Sequence, residues 1–192
     1  MTPETIFSIL LGIGLAASVG FRVFVPLFAL SLASFYEIIP LNESWQWVGS
    51  MPAMITLGIA TIVEIVAYVI PWLDNLLDTI AVPLAAVAGT AVMLSTAADL
   101  DPVVTWSLAI IAGGGTATAI KTSTSTTRLA STATTGGIAN PVVSTVETGT
   151  SVVMSVLSFV APVLAIIFVV IILYLMFKVF RWFRPSKKRI NE

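Results

Sequence analysis

The chain has 192 residues, of which 57% are hydrophobic and only 10% charged, and its mean hydropathy is +1.03. A soluble domain carries about 25% charged residues, so a fully water-covered surface is excluded and one membrane domain is expected. The net charge of -1, with basic residues clustered only in the C-terminal tail, excludes a nucleic-acid partner, and the absence of Cys and His removes disulfides, zinc and iron–sulfur sites and Ser-His-Asp chemistry.

Five apolar or weakly polar blocks follow in order. The N-terminus, Met-Thr-Pro-Glu, lacks the cationic start of a secretory signal, so the first block is expected to be mature structure. That block, Ile6–Tyr36, is too long for one straight span: as helix it would measure about 46 Å against a hydrocarbon core of about 30 Å. Gly20, Arg22 and Pro26 sit near its middle and predict a broken or re-entrant helix there. The second block, Met51–Ile70, stops at Pro71, and the third runs over Leu76–Ala97. The fourth starts at Val103 and passes after Ile120 into a polar stretch. The fifth, Ser151–Phe180, meets a tail holding Lys178, Arg181, Arg184, Lys187, Lys188 and Arg189. The other loops carry acids instead: Glu37, Glu43, Asp74, Asp78, Asp99 and Asp101. The positive-inside rule therefore predicts a multi-pass protein of the inner (cytoplasmic) membrane with its C-terminus in the cytoplasm. Trp45, Trp47 and Trp182 fit the aromatic belts at the interfaces.

The polar stretch is unusual. Twelve of the twenty residues from Thr116 to Thr135 are Ser or Thr, with Gly113-Gly114-Gly115 before them and Gly136-Gly137 after. Either it is an extramembrane loop or it is a polar element lining a cavity, since irregular backbone at membrane depth must be buried in protein or face water. The second is favoured by an apparent internal repeat. An offset of 99 residues places Pro3 on Pro102, Gly14 on Gly113, Arg22 on Lys121 and Leu30 on Leu129. The expected organisation is a first membrane repeat over 1–98, a second over 99–180 and a basic tail over 181–192. Duplicated halves with interrupted helices point to a transporter-like site.

The charges at membrane depth are few enough to follow singly. Arg22, Lys121 and Arg128 are the cations, and Glu64 and Glu147 lie beside or within apolar blocks. A charge isolated in lipid is costly, so these groups are expected to face the protein interior and to pair. They read either as a polar centre for an anionic group or as two static pairs, Arg22–Glu64 and Lys121–Glu147. In the first reading Arg22, Lys121 and Arg128 bind the anion with hydroxyls such as Thr122 and Thr124, and Glu64 and Glu147 couple an ion or proton. Asp74 and Asp78, one turn apart, share a helix face; helix capping or solvation is expected there rather than a metal. The segment Gly115…Ile120-Lys121-Thr122 lacks the Gly that a phosphate-binding loop needs before its Lys, which excludes an NTPase. No cofactor is expected. Gly12, Ala16 and Gly20 form a small-residue stripe suited to close helix packing.

The segments Gly14–Leu27 (GLAASVGFRVFVPL), Glu64–Asp78 (EIVAYVIPWLDNLLD), Gly113–Arg128 and Asn140–Glu147 (NPVVSTVE) together resemble the family named domain of unknown function 4126. The resemblance spans about residues 5 to 170 and rests on three ordered elements. These are GFR-x-x-x-P, E-(six)-P-x-x-D-x-x-x-D and K-(six)-R. It implies an integral membrane protein and marks Arg22, Glu64, Asp74, Asp78, Lys121, Arg128 and Glu147 as the set to watch, but it implies no activity. This chain departs from the family pattern where a charged residue is usual near Tyr68 and Val69, an Arg near Val82, and an acid after Glu147, where Thr148 stands.

The fold class expected is all-α: a polytopic helical membrane protein with an internal repeat and broken or re-entrant helices. The leading expectation for function is a small transporter or lipid translocase for an anionic small molecule or phospholipid, working among membrane lipids as a homodimer. The alternative is a non-catalytic scaffold or assembly factor with structural ion pairs. A membrane enzyme is not expected, because no nucleophile–base pair stands out.

Overall fold

A computed structural model describes residues 2–97 and 100–183, and among these every regular element is helical. In order they are α1 (Pro3–Phe21), α2 (Phe24–Phe35), a 3-10 helix (Glu43–Gly49), α3 (Met51–Ala67), α4 (Pro71–Thr96), α5 (Pro102–Leu108), a π-helical segment (Ala109–Gly114), α6 (Gly115–Thr135), α7 (Asn140–Val160) and α8 (Pro162–Phe183). Asp99 and the tail residues Arg184, Lys187, Lys188 and Arg189 lie outside the described residues, as does the side chain of Trp182.

Four of the helical stretches are long and apolar enough to cross a membrane: Pro3–Phe21, Leu76–Thr96, Pro102–Thr135 and Asn140–Val160. A fifth is added if the 3-10 helix and α3, bent by 65° where they meet, count as one span. The outward faces carry Ile55, Ile59, Ile62, Val146, Val153, Val163 and Phe168, all exposed, as a surface in contact with lipid requires. Trp45 and Trp47 stack on one another in the 3-10 helix, with ring centroids 6.2 Å apart.

The expected break in the first block is present. Helix α1 ends at Phe21, and Arg22 follows in extended conformation, with φ −138° and ψ 128°. The chain then turns back: Ile38–Glu43, just after α2, line a groove together with Pro3, Glu4 and Phe7 from the start of α1. The pair α1–α2 is thus a hairpin with both ends at one end of the bundle.

The fourth block departs from expectation. It is neither a loop nor broken at Lys121; α5, the π-helical segment and α6 form one continuous helical rod. Its Ser and Thr side chains keep the helix intact by bonding to carbonyls one turn back, as in Thr126 to Thr122, Thr127 to Ser123 and Thr135 to Ser131. The glycines before it serve close approach. A Cβ on Gly113 would lie 2.5 Å from the Gly89 carbonyl oxygen of α4. The rod ends at Gly136 and Gly137, whose φ of 64° and 87° suit only glycine comfortably.

The fifth block also departs. It is two helices, split at Ala161 before Pro162, and α7 starts eleven residues before the block, at Asn140. Pro71 does end the second block, but by opening α4, which takes in Asp74 and Asp78.

Helix α1 is the hub, packing on α4, α6, α7 and α8. Its small stripe makes this geometry: a Cβ on Gly20 would sit 2.5 Å from Ile120 Cβ, and one on Gly12 would sit 2.6 Å from Thr96 Oγ1. The segments aligned by the 99-residue offset start alike. Pro3 and Pro102 each open a helix, after Thr2 and Asp101, whose side chains accept backbone N–H bonds. They end differently, since α1 stops at Phe21 and α6 continues past Lys121.

Candidate functional site

The helix ends and faces described above carry seven charged side chains to one place. Glu64 near the end of α3 and Tyr68, the residue that caps that end, are four positions apart. On α4, Asp74 and Asp78 repeat that spacing within about the first 11 Å of the helix. On α6, Lys121, Thr124 and Arg128 share the buried face. On α7, Asn140, Ser144, Glu147 and Ser151 do the same at spacings of four, three and four. Arg22 arrives from the break after α1.

The centre of the arrangement is Tyr68, which is buried. The Arg22 guanidinium lies 4.1 Å from its ring centroid, that of Arg128 4.4 Å, and the Lys121 ammonium 5.0 Å. Each distance is within the range of a cation–π attraction. Arg22 and Lys121 are fully buried, and Arg128 is 1% exposed. The two aligned cations therefore share one sealed site rather than sitting in two separate pairs.

The site has two unlike halves. In the first, Arg128 is saturated. Its Nε donates to both oxygens of Glu147 at 3.1 Å, its Nη2 donates to Glu147 Oε2, and its Nη1 donates to Asp74 Oδ1. Asn140 Nδ2 donates to Asp74 Oδ2 at 3.0 Å and to Thr132. This network ties α4, α6 and α7 together, and only Asn140 Oδ1 in it lacks a partner among the described residues.

The second half is less complete. Arg22 donates from Nε to Thr148 Oγ1 at 2.9 Å and from Nη2 to the Ser144 carbonyl at 2.9 Å, and its Nη2 lies 3.8 Å from Glu147. Its Nη1 is buried with no hydrogen-bond partner among the described residues. Lys121 donates to Tyr68 Oη at 3.2 Å, and no carboxylate lies within 4 Å of it among the described residues. Asp78, half-buried, lies 3.5 Å from both Tyr68 Oη and Ser125 Oγ.

Glu64 forms no ion pair with Arg22 among the described residues. Its two oxygens accept the backbone N–H groups of Val23 and Phe24 at 2.8 and 3.0 Å. A helix start leaves such donors free and favours a negative charge, and α2 has no side-chain cap of its own. Glu64 thus caps α2 from another helix. The static pairs Arg22–Glu64 and Lys121–Glu147 are replaced by the Arg128–Glu147–Asp74 network. Thr124 is buried and bonds to the Lys121 carbonyl, while Thr122 lies on the exposed face of α6, away from the centre. Asp74 is held by Arg128 and Asn140, and among the described residues no group of acids is arranged to hold a metal.

Sequence reasoning missed Tyr68, Ser144, Thr148 and Asn140. In the sequence Tyr68 and Thr148 stand out only where a charge usual in the family is absent; the one-turn spacing of Tyr68 from Glu64 is the available signal. Alongside the centre runs a hydroxyl clasp between α1 and α7. Ser18 Oγ donates to the Ser151 carbonyl at 2.7 Å and lies 2.8 Å from Ser155 Oγ, and Ser151 returns a bond to the Ser18 carbonyl at 3.1 Å. A cavity of about 730 Å³ opens at the far end of α1, among Phe7, Leu11, Ile38, Leu41 and Phe159, and shares no residue with the charged centre.

These features define a multi-pass helical membrane protein with a buried charged centre. A family model described as Domain of unknown function (DUF4126) matches residues 9–182, so the chain belongs to that family. Comparisons with curated proteins and with solved structures give no match.

Proposed function

We propose that this protein is a small transporter that takes an anionic group into the half-site between Arg22 and Lys121. One observation carries the reading: among the described residues, two fully buried cations, one with an unpartnered Nη1 and one with no bonded carboxylate, face the same ring. Removing an ion from water into a protein interior costs several kcal/mol even after relaxation, and Arg128 shows what a fully compensated cation looks like in this fold. A fold selected for stability alone would place apolar side chains at these positions. An incoming anion would supply the missing partner. The duplication at an offset of 99 residues, the two-repeat organisation, the cytoplasmic C-terminus in the inner membrane and a homodimer belong to the same proposal. Catalysis is no part of it.

The test is flux in proteoliposomes. Chloride, nitrate and inorganic phosphate uptake and the scrambling of a labelled phospholipid are measured for the wild type, Arg22→Gln and Lys121→Met. The first three report a soluble anion and the last a lipid phosphate. Wild-type flux of one of them, lost in both variants, is expected; equal behaviour of all three proteins with every probe would sink the proposal. The competing scaffold reading draws on the Arg128–Glu147–Asp74 network alone. It predicts that Lys121→Met leaves every function of the cell intact.

A further inference from the structure

The Arg22–Lys121 half-site does not by itself account for Tyr68 Oη and Asp78. Three groups follow one another there. Lys121 Nζ donates to Tyr68 Oη at 3.2 Å, and Tyr68 Oη faces Asp78 Oδ1 at 3.5 Å. A phenol both accepts and donates, so it joins an ammonium to a carboxylate that do not touch. Lys121 is fully buried, whereas Asp78 is the half-buried member, the one with a route outward. The other acids are engaged: Glu64 by two backbone amides, Asp74 and Glu147 by Arg128.

The count of charges gives the relay a purpose. With every group ionised, three cations, Arg22, Lys121 and Arg128, face four carboxylates, Glu64, Asp74, Asp78 and Glu147. A monovalent anion added to this centre increases its negative excess. If Lys121 is instead neutral before loading, two cations face four carboxylates. Taking up one proton and one anion then leaves the total unchanged, and low-dielectric surroundings favour such constancy.

We propose that Lys121, Tyr68 and Asp78 form a proton relay that makes anion loading a one-proton symport. The relay stands on the geometry; its link to an anion rests on the transport reading above. A proton taken up by the Asp78 carboxylate gives the carboxylic acid. Asp78 then passes a proton to Tyr68 Oη as Tyr68 passes its own hydroxyl proton to the Lys121 amine. Tyr68 ends as it began, Asp78 is again the carboxylate, and Lys121 is the ammonium that binds the anion. Release reverses each transfer. The groups acting on Lys121 are Glu147 of α7, Asp78 of α4, Glu64 of α3 and Arg22. Those acting on Asp78 are Arg128 and Lys121 of α6, Asp74 of α4 and Glu147 of α7.

Two measurements decide the matter, and the first needs no substrate. The Lys121 Nζ and Asp78 carboxyl NMR signals are followed against pH in the intact protein in nanodiscs. In the wild type each signal shows the same two steps, because the protons of a coupled pair come off in macroscopic steps that belong to the pair. Tyr68→Phe, which keeps the ring and loses the hydroxyl, uncouples the two groups and leaves one step in each signal. A single, different step in each signal of the wild type, or two shared steps in Tyr68→Phe, would overturn the relay. The second measurement records nitrate entry and internal acidification together in proteoliposomes. Equal numbers of protons and nitrate ions enter with the wild type, and the proton share falls toward zero in Tyr68→Phe and Asp78→Asn, whatever their nitrate rate. An unchanged proton-to-nitrate ratio in Tyr68→Phe refutes the symport. If the wild type moves no nitrate, the symport of that anion fails with it, and the NMR titration alone decides the relay.

Discussion

Replacing Arg128 by Met and replacing Lys121 by Met each remove one buried cation from the same face of α6, yet the two changes should have opposite consequences. Arg128 is bonded to both oxygens of Glu147 and to Asp74, so Arg128→Met leaves two buried carboxylates without their partner. Breaking a buried pair in this way costs about 3–5 kcal/mol. For a chain of this size about 1 kcal/mol corresponds to about 2–4 °C, so the midpoint of unfolding should fall by about 6–20 °C. Lys121 has a phenol oxygen and an aromatic ring for partners and, among the described residues, no bonded carboxylate. Met fills nearly the same volume without the cost of a buried charge, so Lys121→Met should leave the midpoint unchanged or raise it, while anion flux disappears. Thermal unfolding in detergent, followed by tryptophan fluorescence, reads both variants against the wild type. If Lys121→Met loses as much stability as Arg128→Met, the division into a structural and a functional half is wrong.

Gly20→Ala should separate α1 from α6, since its Cβ would stand 2.5 Å from Ile120 Cβ and 2.9 Å from the Ala117 carbonyl. A loss of about 1–3 kcal/mol is expected in the same unfolding assay, and Gly149→Ala, which meets nothing within 4 Å, should be neutral. Glu64→Gln keeps one acceptor oxygen for two amides, so hydrogen exchange at Val23 and Phe24 should quicken while exchange in α7 stays at the wild-type rate. Ser18→Ala removes the shared hydroxyl of the α1–α7 clasp and should cost about 0.6–1.7 kcal/mol, the range of hydrogen bonds between membrane helices; a neutral result would mean that Ser151 and Ser155 re-pair with each other.

How much of this was legible in the sequence differs from element to element. The break at Arg22 was, because three helix-disturbing or charged residues fall together where the length rules out a straight span. The burial of the charges was also legible, since lipid leaves them no other place. The state of the Ser/Thr stretch was not. A run of hydroxyl residues reads as a loop by composition, and only the one-turn-back bonds, available to any Ser or Thr in a helix, make it a membrane-depth helix. Gly113-Gly114-Gly115 misled for the same reason. Gly113 answers the approach of Gly89 from α4 and Gly114 that of Ala86 and Thr90, contacts that sequence spacing does not encode. The pairing of charges escaped too. Arg128 lies nineteen residues from Glu147, and Arg22 lies 126 from its hydroxyl partner Thr148, so only the fold brings these together.

The asymmetry between the cations carries an argument about selection. Arg128 can be explained by architecture, because its bonds join α4, α6 and α7, and each helix loses a constraint without it. No such account serves Lys121. Among the described residues its ammonium bonds to a side chain that two other cations already face, and α6 approaches α1 where Gly20 meets Ala117 and Ile120 rather than through the ammonium. A buried amine that the packing does not need persists only if its charge, or the loss of that charge, is used. The hydroxyl of Tyr68 follows the same logic, since its ring would attract the cations equally well as phenylalanine.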